Sequence, residues 1–560
     1  MANLIYSLLF LVPLVFYTGT KDPFLIKEVL AQTLILAAFL IWSVKLIEKK
    51  TLFRKPPLLW PLAFFLASVL FSLKNAVLQP LVFQFFFWQV LLFLFYVMVQ
   101  NLPPEDSGKI PMIIAWATLC AGVYGIAQYY GFDFVNWSAS YGDRPSSSFG
   151  NPNFAAGWWA MALPLCAVNL ARRQKGGRLI WLCASAAAAF NLYTCRTRGA
   201  WIAVFLAAAF YGALALVIKG TRNMPAAIKA AVHCALIAAL LLTIAALSLR
   251  RIRQSTDPSI RERVCKWKTA ERVIGDYPMF GVGADNLKIH FALYQAKIKQ
   301  EMNISLKATS ESNAHNEYLQ IWSELGAFGL IAFLSIFMIW YARRVKTFYA
   351  REPSDPGGII AVFSFLFFSL TNFPLHIAPN ALLLFAILGI SDMSAEGNDA
   401  RKTVKQNIGA VYFAGAAALV VFIVLLWEVI LPPFRADYYR LQADKAHEGK
   451  YYELAVSFYK KAIELDYVHS ERTAYYLGEC YRETGRIKDA LEAYKISTAI
   501  RNYGEVYNNI GNCYYLLNQK MEALKYWKLA VSMGLPDASA QSQTEKNIKA
   551  IQGVFPTGGN

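Results

Sequence analysis

The amino-acid sequence predicts an all-α, polytopic membrane protein with a helical soluble tail, and three observations lead to that class. Of its 560 residues, 56% are hydrophobic and only 16% are charged, which excludes a soluble globule for roughly the first 430 positions. Apolar runs of about 17 to 25 residues, long enough to cross a bilayer as a helix, recur throughout that part. The residues from 434 onward carry a helical repeat instead.

The apolar runs divide into thirteen predicted membrane helices. The first is short and lacks both a basic n-region and a clear cleavage site, which predicts a retained anchor rather than a signal peptide. The predicted spans are 4–18, 24–47, 58–76, 79–99, 110–130, 152–170, 178–195, 199–218, 227–249, 315–341, 358–373, 376–393 and 408–431.

Basic residues predict the orientation of these spans, because Lys and Arg concentrate in cytoplasmic loops. Five basic clusters all fall in alternate loops, on one side of the membrane. They are Lys45, Lys49, Lys50, Arg54 and Lys55; Arg172, Arg173, Lys175 and Arg178; Lys219, Arg222 and Lys229; Arg343, Arg344, Lys346 and Arg351; and Arg401, Lys402 and Lys405. This side is predicted to be cytoplasmic, together with the N-terminus. Thirteen crossings then place the C-terminal tail outside.

The predicted outer loop 250–314 does not follow this pattern, since it carries twelve basic and seven acidic residues. Long loops translocate largely regardless of charge, so it is either an ordinary solvated loop or a basic surface for a lipid headgroup or pyrophosphate. Most of the net charge of +18 lies in the short cytoplasmic loops. We therefore expect these basic residues to lie at the membrane, and we expect no nucleic acid as a partner of the protein.

The soluble tail contains similar segments headed by Ala455, Ala490 and Ala523, spaced 35 and then 33 residues apart. Leu477-Gly478 with Tyr481 recurs as Ile510-Gly511 with Tyr514. This pattern resembles the tetratricopeptide repeat, which implies a solenoid of helix pairs that binds a peptide or protein partner. The predicted organisation is a membrane domain at 1–433, repeats at 434–536, and a capping helix with a tail at 537–560.

The sequence gives no sign of a cofactor or of a structural or catalytic metal. It has no Cys-x-x-Cys pair and no His and carboxylate cluster with metal-ligand spacing.

His315 is the first candidate catalytic residue, because it lies where a polar loop runs into a predicted span and follows an arginine-rich loop. Four segments in chain order carry a further resemblance: 148–157 (SFGNPNFAAG), 197–201 (TRGAW), 263–286, which begins RVCKW, and 315–320 (HNEYLQ). Together they resemble the O-antigen ligase and polymerase superfamily of bacterial envelope glycosyltransferases. The resemblance runs from roughly 120 to 340.

The resemblance implies a metal-independent, GT-C-like transferase that takes a glycan from undecaprenyl pyrophosphate on the outer face of the cytoplasmic membrane. Arg198 and Arg263 match the arginines that bind the pyrophosphate, and His315 matches the catalytic histidine. General chemistry agrees, because guanidinium groups can neutralise a pyrophosphate leaving group and imidazole can take the proton of an acceptor hydroxyl. Direct displacement would invert the anomeric centre.

Each candidate residue also has a structural interpretation. Arg198 can snorkel at a helix end, Arg263 can be a solvated loop charge like its neighbour Arg261, and His315 can be a helix-terminal residue without a proton role. The accessory candidates Asn151 and Asn153 either cap the next span or contact sugar. Glu317, also accessory, pairs with a loop cation or favours the helix start.

Several functions remain open at this point. Within the superfamily the alternatives are ligation to a lipid core in lipopolysaccharide assembly, polymerisation of a surface polysaccharide, and transfer to a protein hydroxyl. A polysaccharide transporter or flippase would be expected to show paired helix breaks at mid-membrane, and none is evident in the sequence. The sugar, the acceptor, the Gram type of the source and the oligomeric state are not specified by the sequence.

Overall fold

The computed structural model describes residues 1–47, 53–135, 137, 141–172, 177–237, 258–302, 313–350, 355–393 and 408–554, and these residues contain helices and no strand. The all-α prediction is therefore confirmed. The helices up to residue 393 are α1 Ala2–Leu14, α2 Leu25–Ile47, α3 Leu59–Phe71, α4 Gln79–Gln100, α5 Ile110–Tyr129, α6 Pro152–Ala171, α7 Arg178–Thr194, α8 Arg198–Thr221, α9 Ala226–Ile237, α10 Pro258–Asp276, α11 Leu287–Glu301, α12 Glu317–Tyr349, α13 Pro356–Phe368 and α14 Ala378–Met393.

The remaining helices begin with α15, which continues through a π-helical turn, Leu426–Ile430, directly into α16. They are α15 Ile408–Leu425, α16 Leu431–Glu448, α17 Tyr452–Leu465, α18 Glu471–Glu483, α19 Ile487–Ile500, α20 Gly504–Leu516, α21 Lys520–Met533 and α22 Ala538–Val554.

Seven helices in the described residues are long and apolar enough to cross a membrane: Leu25–Ile47, Gln79–Gln100, Pro104–Tyr129, Pro152–Ala171, Arg198–Thr221, Glu317–Tyr349 and Gly415–Glu448. Other predicted spans are shorter. The helices α1, α3 and α13 have 13 residues each, so each measures about 20 Å against a hydrocarbon core of about 30 Å. The count of thirteen therefore stays a prediction.

The centre of the helical bundle is built around α6 and α13. The helix α13 packs against both α6 and α8, while α12 packs against α3 and α14 packs against α4. Trp158 and Trp159 of α6 are almost completely buried. Their burial places the resemblance segment 148–157 directly above the core of the bundle.

Several loops meet at one end of the bundle, which we call the site end. Ser148 Oγ donates to Pro13 O over 2.6 Å, and the Arg144 guanidinium donates to Cys195 O over 2.8 Å. Asn75 Nδ2 donates to Gly281 O over 2.8 Å. These contacts join the loop after α5 to the end of α1 and to the loop after α7, and the loop after α3 to the segment after α10.

The predicted cytoplasmic connections meet at the opposite end. Tyr6 near the N-terminus donates to Asp106 O, Arg54 N donates to Asn101 Oδ1, and Arg172 lies 3.8 Å from Asp355. The side of the membrane on which these connections lie stays a prediction.

Some sequence predictions concern residues outside the described part of the chain. These are the second half of the predicted span 227–249, the basic residues Lys49, Lys50, Arg173, Lys175, Arg250, Arg251, Arg253, Lys307, Arg351, Arg401, Lys402 and Lys405, and the tail from 555 to 560.

Residues 431–554, called the C-terminal region, form successive helix pairs. Contacts join α16 to α17, α18 to α19 and α20 to α21, and α22 packs on α21. Gly478 and Gly511 hold equivalent positions, and a Cβ on either would clash with the aromatic ring of the second helix of its pair, Tyr494 or Trp527. Small residues at these positions therefore permit the close approach of the paired helices.

The C-terminal region docks on the site end of the bundle. Lys21 Nζ lies 2.6 Å from Asp444 Oδ2, Asp22 N donates to Asp437 Oδ2, and Asn502 Nδ2 donates to Ile289 O of α11. The C-terminal region thus contacts the loop between α1 and α2 and the helix α11.

Candidate functional site

His315 occupies a strained turn at the start of α12. Its φ is +50°, a left-handed conformation that histidine adopts more readily than most residues. The next residue, Asn316, caps α12 by accepting hydrogen bonds from Tyr318 N and Leu319 N over 3.0 and 3.1 Å. The cap holds the imidazole at the site end, where it is half-buried.

The loop 369–377 forms the wall beside His315. Glu317 N donates to Ser369 O over 2.8 Å, and Asn316 Nδ2 donates to Leu370 O. The Phe373 ring lies edge-on to His315, with centroids 5.2 Å apart, and also contacts Phe154 at 5.9 Å. The segments 148–157 and 315–320 therefore meet at one aromatic residue.

Asn153 joins the segments 148–157 and 197–201. Its Oδ1 accepts from Arg144 Nη2 over 3.1 Å and from Thr197 Oγ1 over 3.0 Å. The Arg144 guanidinium also reaches Cys195 O. The side chain that the sequence offered as a cap or a sugar contact thus holds the turn just before Arg198.

Asn151 has the capping role that the sequence suggested. Its side chain accepts from Asn153 N over 2.8 Å at the N-terminus of α6, whose first residue is Pro152. Through Nδ2, the same amide donates to the hydroxyl oxygen of Tyr141 over 3.2 Å.

Arg198 is the first residue of α8 and is exposed at the site end. A Cβ on the following residue, Gly199, would collide with the side chain of Thr371 in the loop 369–377. The helix start is therefore pressed against the loop that also contacts His315. Because the N-terminus of a helix of this length favours anions, Arg198 lies where a phosphate group can be bound.

Arg263 lies on α10, where it is half-buried, while Arg261 on the same helix is exposed. The helix α10 contributes Ala270 and Val273 to a small buried cluster that contains Ala314, the residue before His315. This packing ties the helix of the two arginines to the turn of His315.

The segment 276–286 docks on a kink in α12. Val282 N and Gly283 N donate to the carbonyls of Ser323 and Glu324 over 2.9 and 3.0 Å. Gly326 at the kink has a φ of +70°, and a Cβ there would collide with the Met279 carbonyl. Glycine is therefore required at this position by both backbone conformation and space. The contact fixes α12 relative to the loop that follows α10.

Glu317 is fully buried and pairs with His376. Its Oε1 lies 3.1 Å from His376 Nδ1, and its Oε2 accepts from Leu375 N over 3.0 Å. Of the two interpretations of Glu317, the structure favours pairing with a loop cation.

This pair predicts a contribution to stability. Removing one partner of a buried pair leaves the other partner uncompensated, which typically costs about 3–5 kcal/mol. In Glu317→Gln we therefore expect a lower melting temperature than in the wild type. Glu301→Gln, at the exposed pair with Arg272, is the matched control and should keep the wild-type melting temperature. An unchanged melting temperature in Glu317→Gln would show that the pair contributes nothing.

Sequence reasoning missed Arg144, Asn316, Phe373 and the pairing of His376. Asn316 carries a local signal, since an Asn directly before an apolar helix is a common N-cap. Phe373 and His376 contact residues more than fifty positions away in the chain. Arg144 lies in a loop whose path the sequence does not specify. No three His, Cys, Asp or Glu side chains are grouped as a metal site within the part of the chain that the structure describes.

Comparison with known proteins places these motifs in a family context. Residues 156–334 match the family model described as O-antigen ligase. The matched range includes Arg198, Arg263 and His315, while Asn151 and Asn153 lie just before it. No curated protein matches the chain.

Residues 156–334, less than half of the chain, are thus similar to the O-antigen ligase family, whose members are glycosyltransferase-like enzymes. Together with the apolar helices, this similarity supports a multi-pass protein of the bacterial inner membrane that acts in surface polysaccharide assembly.

Proposed function

We propose that the protein transfers a glycan from undecaprenyl pyrophosphate to an acceptor hydroxyl on the outer face of the cytoplasmic membrane, as an O-antigen ligase does in lipopolysaccharide or surface polysaccharide assembly. One observation carries the proposal. The loops that hold Asn153, Arg198 and His315 converge on the loop 369–377, through the Phe154–Phe373 and His315–Phe373 contacts and the close approach of Gly199 to Thr371.

The chemical step needs a base and a site for a doubly charged leaving group. His315 removes the proton from the acceptor hydroxyl as its oxygen attacks the anomeric carbon. The bond from that carbon to the pyrophosphate oxygen breaks, and the electron pair leaves with undecaprenyl pyrophosphate. Arg198 and Arg263 neutralise the charge that develops there. The attack inverts the anomeric centre, and the step draws on no metal or cofactor.

The accessory residues serve this geometry. Asn151 and Asn153 hold the start of α6 and the turn before Arg198, and Glu317 anchors the loop 369–377 beside His315. Arg261 is the neighbouring candidate for the role of Arg263.

The proposed topology has thirteen spans, with the N-terminus in the cytoplasm. Lys45, Arg54 and Arg172 lie at the end of the bundle opposite the site end, in support of a cytoplasmic location for that end. The site end and the C-terminal region are then outside, where a lipid-linked glycan is presented.

The C-terminal region is proposed to be a tetratricopeptide solenoid that holds a protein partner or an acceptor. The helix pairs and the equivalent positions of Gly478 and Gly511 support this assignment. In the described residues of the repeats, no cluster of candidate catalytic side chains like the one around His315 is found. We therefore propose that the repeats recruit a partner or an acceptor and take no part in the chemical step.

The topology predicts that protease added to intact spheroplasts cleaves the C-terminal region and leaves the membrane domain as a protected fragment. A cytoplasmic marker in the same sample should stay intact. Full protection of the C-terminal region until the cells are lysed would place it in the cytoplasm and remove it from the proposed reaction.

The transfer itself is tested by reconstitution. Purified protein is incubated with a lipid-pyrophosphate glycan and, in separate reactions, with a lipid-core acceptor, a free glycan acceptor and a protein acceptor. A glycosylated lipid core supports ligation, whereas a lengthened glycan or a glycosylated protein assigns the enzyme to polymerisation or to protein transfer. No product with any acceptor would contradict a transferase, and movement of the donor across the bilayer would indicate a flippase.

A further inference from the structure

A cavity of about 490 Å³ lies at the site end, between the membrane bundle and the C-terminal region. Its walls come from α2, α4, the turn at His376, α16 and the segment between α17 and α18. This volume falls in the range of sites that hold several sugar-sized groups or one drug-sized ligand. None of the candidate residues Arg198, Arg263 and His315 lines it.

The lining of the cavity is acidic, although the chain as a whole has a net charge of +18. Six carboxylates and three basic side chains line it. The carboxylates are Asp22, Glu28, Asp285, Asp437, Asp466 and Glu471, and the basic side chains are His376, Arg440 and His469. These carboxylates disfavour the binding of a phosphate or another anion in the cavity. The donor pyrophosphate is therefore an unsuitable occupant.

The inner wall carries amide groups in otherwise apolar helices. Gln32 of α2 and Gln84 and Gln89 of α4 line the cavity beside Trp88. Gln89 is only 4% exposed, and its Nε2 has no hydrogen-bond partner in the described residues. A buried polar group in an apolar helix is costly unless a partner satisfies it, and such groups commonly mark binding sites.

This set of side chains suits a neutral, polyhydroxylated ligand. Amides can donate hydrogen bonds to hydroxyl groups and accept hydrogen bonds from them, and carboxylates can accept hydrogen bonds from them. Trp88 offers a flat apolar surface for the C–H face of a sugar ring. A bound hydroxyl would give Gln89 Nε2 the hydrogen-bond partner that it lacks in the described residues.

The cavity adjoins the candidate catalytic residue. His376, which lines it, pairs with Glu317, two positions after His315. Phe373 contacts the rings of both histidines, with centroids 5.2 Å from His315 and 6.1 Å from His376. The wall of the cavity is therefore joined to the turn of His315 through Phe373 and the Glu317–His376 pair.

We propose that this cavity binds the glycan part of the acceptor as a neutral, polyhydroxylated chain, with the C-terminal region supplying one wall. This inference rests on the proposed transferase function and adds the acceptor class and its site. It also gives the C-terminal region a direct part in acceptor selection.

The test measures acceptor use and binding separately, with the full-length protein and the glycan-bearing acceptor purified from the source cells. In Gln89→Leu and in Glu28→Gln, we expect the KM for the acceptor to rise roughly tenfold or more, the usual effect of losing a hydrogen bond to a bound ligand. The KM for the lipid-linked donor should stay unchanged. Gln100→Leu is the matched control, because Gln100 lies on the same helix and is also 4% exposed but does not line the cavity.

A second readout separates this inference from the proposed function. Surface polysaccharide of the source cells is cleaved to oligosaccharides, which are divided by anion exchange into neutral and anionic fractions. Binding of each fraction to the full-length protein is measured directly. The neutral fraction should bind the wild type and Gln100→Leu but bind Gln89→Leu and Glu28→Gln weakly. Binding without any transfer would contradict the transferase alone. Unchanged acceptor KM in both cavity variants, or binding of the anionic fraction only, would overturn the inference.

Discussion

His315→Asn is expected to lower the turnover of glycan transfer by about two to four orders of magnitude, the usual contribution of a general base, while the protein remains inserted and folded. Asparagine is preferred to alanine here, since it tolerates the φ of +50° at this position and cannot take a proton. Turnover is measured at saturating donor and acceptor, and folding is checked by the melting temperature.

A matched control for this variant is His447→Asn. His447 packs between Tyr452 and Tyr476 in the C-terminal region, far along the chain from the site, and its substitution should leave turnover near the wild-type value. Near-normal turnover in a folded His315→Asn protein would remove His315 from the proton transfer. A protein that melts before the assay would instead support a purely structural role for the turn.

Arg198→Ala and Arg263→Ala are expected to lower kcat/KM for the lipid-pyrophosphate donor by roughly 10- to 100-fold each, as follows from about 1.5–3 kcal/mol for a hydrogen bond to a charged group. Lysine at either position should restore only part of the loss, because it keeps the charge but lacks the planar fork that binds two phosphate oxygens. The KM for the acceptor should change little.

Arg261→Ala is the matched control for Arg263, since both arginines lie on α10 and only Arg261 is exposed. We expect its donor kinetics to resemble those of the wild type. A large loss in Arg261→Ala with normal kinetics in Arg263→Ala would transfer the role to Arg261. Normal kinetics in both would leave the arginines of α10 without a part in donor binding.

Much of the fold follows from local patterns. Long apolar stretches predict α2, α4, α6 and α12, because a bilayer requires its spanning helices to be continuous and apolar. The cap at Asn151 was likewise predictable from Pro152 and the run that follows. The number of spans was harder to predict, since helices such as α1 and α13 are too short to cross the bilayer as isolated cylinders.

The arrangement of the site depends on contacts that no local pattern encodes. Asn153 meets Thr197 across 44 positions and Glu317 meets His376 across 59, so their pairing is a property of the folded bundle. The kink at Gly326 could not be predicted from the sequence either. Its glycine is required because the Met279 carbonyl lies where a Cβ would be, and this contact exists only in the folded bundle. The cavity between α4 and α16 joins two regions whose relative position the sequence does not specify.

The most direct test of the central claim is a single transfer assay with purified full-length protein, a lipid-pyrophosphate glycan, an acceptor and excess chelator. Wild-type protein should form the glycosylated acceptor and release undecaprenyl pyrophosphate, and His315→Asn should form at least a hundredfold less in the same time. Equal product from wild type and variant, or a wild-type reaction that the chelator abolishes and a divalent cation restores, would contradict the metal-free, histidine-assisted mechanism.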